Sequence, residues 1–167
     1  MRFYILVHSS AGQADFNEIK LSSLADHKPA LKGDYVIKLW VSRKSKISYG
    51  RYKDYELAKG YYLYFGSARG SGGLFSRVSR HLDKDAVVHW HIDKLKHFTV
   101  TEEVYIIPSQ IKYECRMADY TGNLPGFVKI PDFGCSDCGC PSHLVHSPNN
   151  LNLKQILKQF LKNNSSF

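Results

Sequence analysis

Glu114 stands out among the residues able to do chemistry. If residues 111–120 form a helix, a 3.6-residue wheel places Ile111, Cys115, Met117 and Ala118 on an inward arc with Glu114 at its middle. Lys112, Arg116 and Asp119 then lie on the opposite side. A carboxylate aimed at a core must be met by a cation, a donor or a metal. Two partners suit it: an arginine in a buried salt bridge, or a hard divalent cation such as Mg²⁺ that keeps several of its waters. Arg77 and His81 lie one helical turn apart, just after the glycine-rich stretch Gly66-Ser67-Ala68-Arg69-Gly70-Ser71-Gly72-Gly73. Such a pair either clamps a phosphate while the histidine trades a proton, or lines a solvated helix edge. The glycine-rich stretch either offers its amides to a phosphate or is a turn that needs positive φ. It lacks the Gly-Lys-Ser/Thr ending of a nucleotide-binding loop and no Rossmann unit surrounds it, which excludes ATP and NAD.

Two further clusters carry ligand-like side chains. His89-Trp90-His91-Ile92-Asp93 has the His-x-His-x-Asp form of metallo-β-lactamase-type hydrolases. Lys94 stands where those enzymes continue with histidine, so packing or substrate contact is the better reading. Cys135-x-x-Cys138-x-Cys140-x-x-His143 offers either four zinc ligands of suitable softness or reduced cysteines in a Gly/Pro-rich loop. Three of four cysteines crowd together, which speaks for a metal or thiol site and a reducing compartment rather than a disulfide scaffold.

The elements that must position these groups follow from periodicity. Tyr35 to Val41 alternates as a strand with Tyr35, Ile37, Leu39 and Val41 on one face. Ile47-Ser48-Tyr49 reads as a short return strand, and Tyr61 to Phe65 as a third strand with Tyr62 and Tyr64 on one face. A helix of about ten residues follows the glycine-rich stretch, with Leu74, Phe75, Val78 and Leu82 as its apolar stripe. The pattern then predicts a short helix over 92–98, a strand at Val104–Ile107 ended by Pro108, a helix over 111–120 stopped by Gly122, and a loop to His146. Leu153, Ile156, Leu157, Phe160 and Leu161 mark a C-terminal amphipathic helix that docks on the core. The resulting class is α+β: a small three- to four-stranded mixed or antiparallel sheet flanked by helices, with a Cys/His-rich C-terminal loop. Residues 1–32 read as an N-terminal extension, 33–146 as the domain proper and 147–167 as the docked helix.

With 167 residues there is material for one domain, and 43% hydrophobic residues can fill one core. The formal net charge of +8 points to a polyanionic partner, because clustered Lys and Arg release counterions on meeting phosphates. No stretch approaches the ~18 apolar residues that span a bilayer, and the start lacks the features of a signal peptide. A cytoplasmic protein without a membrane role is the expectation.

In order along the chain, these pieces resemble the GIY-YIG nuclease superfamily, and within it the Uri-type endonuclease branch. The resemblance rests on Gly33-Asp34-Tyr35, Tyr64-Phe65-Gly66, Gly72 to Leu82 (GGLFSRVSRHL), His89 to Asp93, Tyr113-Glu114-Cys115 and Phe133 to Leu144 (FGCSDCGCPSHL). It covers roughly Gly33 to His146. It implies an endonuclease hydrolysing phosphodiester bonds, with DNA expected before RNA. Tyr35, Tyr64, Arg77, His81 and Glu114 would form the catalytic set, and Glu114 would hold one Mg²⁺ or Mn²⁺. Arg77 would steady the scissile phosphate, and Tyr35 or Tyr64 would help activate water. Arg69, Arg80, His89 and His91 are expected to meet the substrate; Cys135, Cys138, Cys140 and His143 stay open between a Zn²⁺ site and reduced cysteines. The longer Tyr35–Tyr64 spacing, Tyr-Phe-Gly in place of Tyr-Ile-Gly and the want of a clear counterpart to the asparagine that many members carry near the domain's end are departures, with Ser136 or Asp137 as candidates for that place.

Overall fold

Hydrophobic alternation dominates the middle of the chain, and the computed structural model, which describes residues 1–9, 12–27, 29–49 and 53–164, builds its sheet outward from there. Nine strands form: β1 (Arg2–His8), β2 (Ala14–Ile19), β3 (Gly33–Val41), β4 (Ser45–Tyr49), β5 (Lys53–Leu57), β6 (Gly60–Ala68), β7 (Val100–Pro108), β8 (Val128–Lys129) and β9 (Leu144–Ser147). The three α-helices are α1 (Gly73–Leu82), α2 (Glu114–Gly122) and α3 (Leu153–Asn164). Seven strands make one mixed sheet in the order β2-β1-β7-β3-β6-β9-β8, while β4 and β5 form a separate hairpin. Within the large sheet β1 runs parallel to β7, and its other pairings are antiparallel.

The α+β class stands, but the sheet is seven strands wide rather than three or four. Two causes account for the difference. Residues 2–19 add β1 and β2 through a pairing of Phe3 with Val104, about a hundred positions away, which no local pattern reveals. The segment read as loop before His146 contains β8 and β9, whose two and four residues are too short for a period of two to register. The helix expected over 92–98 is a 3₁₀ turn at His91–Leu95, and α2 starts at Glu114, not at residue 111.

Each sheet face has its own core. Tyr35, Ile37, Leu39 and Val41 point to the face covered by Leu74 and Val78 of α1 and by Ile92 and Leu95, and Tyr62, Tyr64 and Phe133 join them. Val36, Leu63, Phe65 and Ile107 point the other way and meet Met117 and Ala118 of α2 and Leu153, Leu157 and Phe160 of α3. The strict alternation of β3 thus divides the helices into two layers. No helix among the described residues is long and apolar enough to cross a membrane.

Candidate active site and Cys/His centre

Two glycines bring the motif tyrosines together. Tyr35 on β3 lies opposite Gly66 on β6, and its ring crosses the space a side chain would fill: a Cβ on Gly66 would stand 2.2 Å from Tyr35 Cζ. The Tyr35 and Tyr64 rings are consequently 6.3 Å apart. Gly73 opens α1 at φ 61°, and a Cβ there would strike the Leu31 carbonyl. The helix-start amides are occupied by the chain: Gly73 N donates to Gly70 O and Leu74 N to Leu31 O. Since β6 runs through Ala68, the loop is also shorter than its glycine content suggests, so it is a turn more than a phosphate cradle.

A cleft of about 420 Å³ is lined by Tyr35, Tyr64, Arg77, Glu114, His89 and His91, with Arg69, Lys112, Ser136 and Asp137 among its remaining walls. It gathers residues from both layers, because α2 covers the opposite sheet face and meets the cleft through its first residue. Arg80 is not in this lining. Its guanidinium lies on the Trp90 ring at 5.1 Å and donates to Val87 O, so it braces the following loop. Arg77 stacks on the same ring at 4.1 Å and, among the described residues, has no ion-pair partner. Arg69 reaches the cleft wall but binds Asp34 Oδ2 at 2.8 Å, Ile111 O at 2.7 Å and Ser109 O, which ties the approach to α2 onto β3.

Behind Tyr35 runs a chain of hydrogen bonds. Tyr35 Oη is 2.8 Å from His81 Nε2, and His81 Nδ1 is 3.0 Å from Asp93 Oδ1. His81 is therefore no solvated helix edge but a buried group facing the sheet, 4% exposed. Asp93 Oδ2 accepts from the His89 and Trp90 amides at 2.9 and 3.0 Å. Burial works against ionisation of Asp93, yet the hydrogen bonds from His81 and these amides outweigh it and hold the carboxyl well below its usual range. The ionised acid requires a proton on His81 Nδ1, so Nε2 is the acceptor and Tyr35 donates. Burial pushes the His81 pKa down, against the pull of Asp93, and pushes both tyrosine phenols up. His91 accepts from Gly134 N at Nδ1, which leaves Nε2 as its protonated nitrogen when neutral. Asp93 is a candidate residue absent from the expected set; its signal was the His-x-His-x-Asp string, whose acid here accepts from two amides of its own turn.

Glu114 has partners that the helical wheel did not supply. Lys112 Nζ lies 3.3 Å from Oε2, on the same side and not opposite, because residue 112 precedes the helix and escapes its periodicity. Ile111, placed inward by the wheel, is 44% exposed for the same reason. His143 Nδ1 lies 3.3 Å from Oε1, close enough for an ion pair but outside hydrogen-bond geometry, so this buried nitrogen has no hydrogen-bond partner. Burial raises the Glu114 pKa, while Lys112 lowers it and the carboxylates of Asp34 and Asp137 add to the rise.

Behind Glu114 sits a Cys/His centre able to hold a metal ion: one donor atom each from Cys115, Cys138, Cys140 and His143, all within 4.8 Å of one another. This corrects the expected set. Cys115 takes the place of Cys135 because α2 carries it across 25 positions to Cys140, a contact that local spacing cannot show. Cys115 and Cys140 stand sulfur to sulfur, close enough to be joined as a disulfide, while Cys135 and Cys138 are outside that pair.

Residues 34–166 match the model of a family described as a domain of unknown function, DUF123. The chain belongs to the DUF123 family. The match spans β3 to α3, and so the whole cleft and the Cys/His centre, but not β1 and β2. No curated protein and no solved structure matches the chain.

Proposed function

We propose that this DUF123 domain is a metal-dependent endonuclease of the GIY-YIG type, hydrolysing phosphodiester bonds in nucleic acid, DNA before RNA. The observation that carries the reading is the single cleft shared by two phenols, a guanidinium with no ion-pair partner among the described residues and a buried carboxylate. The donors of the cleft fit a hard cation. Glu114 and Asp137 are the two carboxylates of the lining, and Mg²⁺ or Mn²⁺ held by one carboxylate and several waters suits so open a set. When bound, such an ion neutralises charge developing on the phosphate oxygens. Arg77 clamps the phosphate, its plane pre-set by Trp90. Tyr35 takes a proton from water as its own passes to the neutral Nε2 of His81, and Asp93 stabilises the imidazolium that results. Tyr64 borders the same space, and His89 and His91 flank the strand's path. The net charge of +8 suits the polyanion. The soft donors of the Cys/His centre suit Zn²⁺ rather than Mg²⁺.

The test is a panel of labelled duplex, branched and single-stranded DNA and RNA incubated with Mg²⁺ or Mn²⁺, with Glu114→Gln and Arg77→Ala as controls. Cleavage is expected to fall by about 10²-fold or more in each variant; cleavage that survives Glu114→Gln refutes the mechanism. A second reading, a nucleic-acid-binding module without catalysis, draws on the Lys112–Glu114 ion pair, in which an ammonium stands where the cation would. It is separated by Mn²⁺ binding: the nuclease takes up Mn²⁺ at Glu114, and the binder does not.

A further inference from the structure

A disulfide between Cys115 and Cys140 accounts for two of the four groups in the Cys/His centre and leaves the other two unexplained. The Cys138 thiol and the buried His143 imidazole, 1% exposed, turn toward the same point. The three sulfurs of Cys115, Cys138 and Cys140 lie 3.4, 3.5 and 3.1 Å from His143 Nε2. In a tetrahedral site with Zn–S of about 2.3 Å and Zn–N of about 2.0 Å, the sulfur-to-nitrogen edge is roughly 3.5 Å. The backbone of His143 is fixed on both sides, its N–H donating to Phe133 O at 2.8 Å and its carbonyl accepting from Phe65 N at 2.9 Å. Burial of the side chain on that fixed backbone leaves the ring little freedom to face elsewhere.

We infer that a Zn²⁺ held by Cys115, Cys138, Cys140 and His143 positions Glu114, acting through the imidazole of His143. A neutral imidazole that gives Nε2 to a metal carries its proton on Nδ1. In this fold that nitrogen is buried, without a hydrogen-bond partner, and 3.3 Å from Glu114 Oε1. The ion would fix the tautomer that carries its proton on Nδ1, the nitrogen 3.3 Å from Oε1, in the manner of the carboxylate–histidine–zinc arrangements that orient ligands in other metal sites. Cys115, the next residue after Glu114, ties the first turn of α2 to the same ion. Glu114 is thus held through its neighbour in sequence and its neighbour in space. The inference rests on the reading of Glu114 as the site of a divalent cation.

The test combines a metal count with a binding measurement that does not depend on cleavage. Protein purified under reducing conditions should contain about one zinc per chain by mass spectrometry, and Cys115→Ser and Cys138→Ser should each lose most of it. His143→Cys supplies a fourth thiolate and so should keep the zinc, while removing the nitrogen that faces Glu114. Its affinity for Mn²⁺, followed by electron paramagnetic resonance, should fall by about 10–100-fold relative to the parent protein. If His143→Cys does not retain zinc, parent protein stripped with a zinc-selective chelator is the second measurement, and its Mn²⁺ affinity should fall at least as far. Absence of zinc, iron in its place, or unchanged Mn²⁺ affinity after either perturbation overturns the inference. Zinc-loaded parent protein that binds no Mn²⁺ overturns the cation reading of Glu114, and the coupling with it, and leaves the zinc centre standing.

Discussion

Replacing Asp93 with asparagine leaves the side chain's shape almost unchanged and reverses the hydrogen-bond chain behind Tyr35. The carboxylate now accepts from His81 Nδ1 at 3.0 Å, which frees Nε2 to accept from Tyr35 across 2.8 Å. In Asp93→Asn the oxygen stays with the His89 and Trp90 amides, two donors that an NH₂ group cannot serve. The NH₂ group then faces Nδ1 and donates to it, so the ring protonates at Nε2 and donates to Tyr35. The phenol loses its proton acceptor. A positioned base of this kind contributes roughly 10²–10⁴-fold, which at ~1.36 kcal/mol per decade is about 2.7–5.4 kcal/mol of barrier. The assay is single-turnover cleavage of a substrate from the panel under saturating Mn²⁺, together with the ¹⁵N spectrum of His81, which reports the tautomer whether or not the protein cuts. Thermal unfolding serves as the control, because Lys96 Nζ, 3.4 Å from Asp93 Oδ1, loses part of its counter-charge as well. An Asp93→Asn protein that keeps the Nδ1–H tautomer, or cuts at the parent rate, refutes the relay.

Gly66→Ala should displace the Tyr35 ring, since the added Cβ would meet its Cζ at 2.2 Å and its Oη at 2.3 Å; a loss of about 1–3 kcal/mol in urea unfolding is expected, with cleavage falling further than stability does. Burial depresses the pKa of His81, His91 and His146, with Asp93, Arg77 and Lys96 facing the first, Lys94 the second and the Lys59 carbonyl the third. The unfolded chain then takes up protons first as pH falls, so stability is fully present above about pH 6.5 and declines below it. Urea midpoints compared at about pH 7.5 and about pH 6 should show that fall, before the buried carboxyls of Asp34 and Glu114, raised by burial, act in the opposite sense at lower pH.

Legibility in the sequence followed the range of the contacts. The strand face of Tyr35, Ile37, Leu39 and Val41 and the stripe of Leu74 and Val78 are local periodicities and read directly. The gathering of Tyr35, Tyr64, Arg77 and Glu114 drew on ordered motifs rather than on any one spacing. Lys112 went astray because a wheel is valid only inside a helix, and α2 begins two residues later. Asp93 was hidden by its own string, which suggested a ligand while serving as a cap for two amides. Cys115 and the strands β1 and β2 depend on partners far along the chain, and short-range pattern carries no record of them.

The hairpin of β1 and β2 shields one flank of the nine-residue strand β7, although the stretch matched by the family begins only at residue 34. Stripped of β1 and β2, the domain would display the Glu103–Ile106 row as a raw ribbon of unanswered amides and carbonyls. Identical molecules would then find in one another the strand they had lost, and the cost of the missing hairpin would be felt first as stickiness between copies rather than as damage to the cleft.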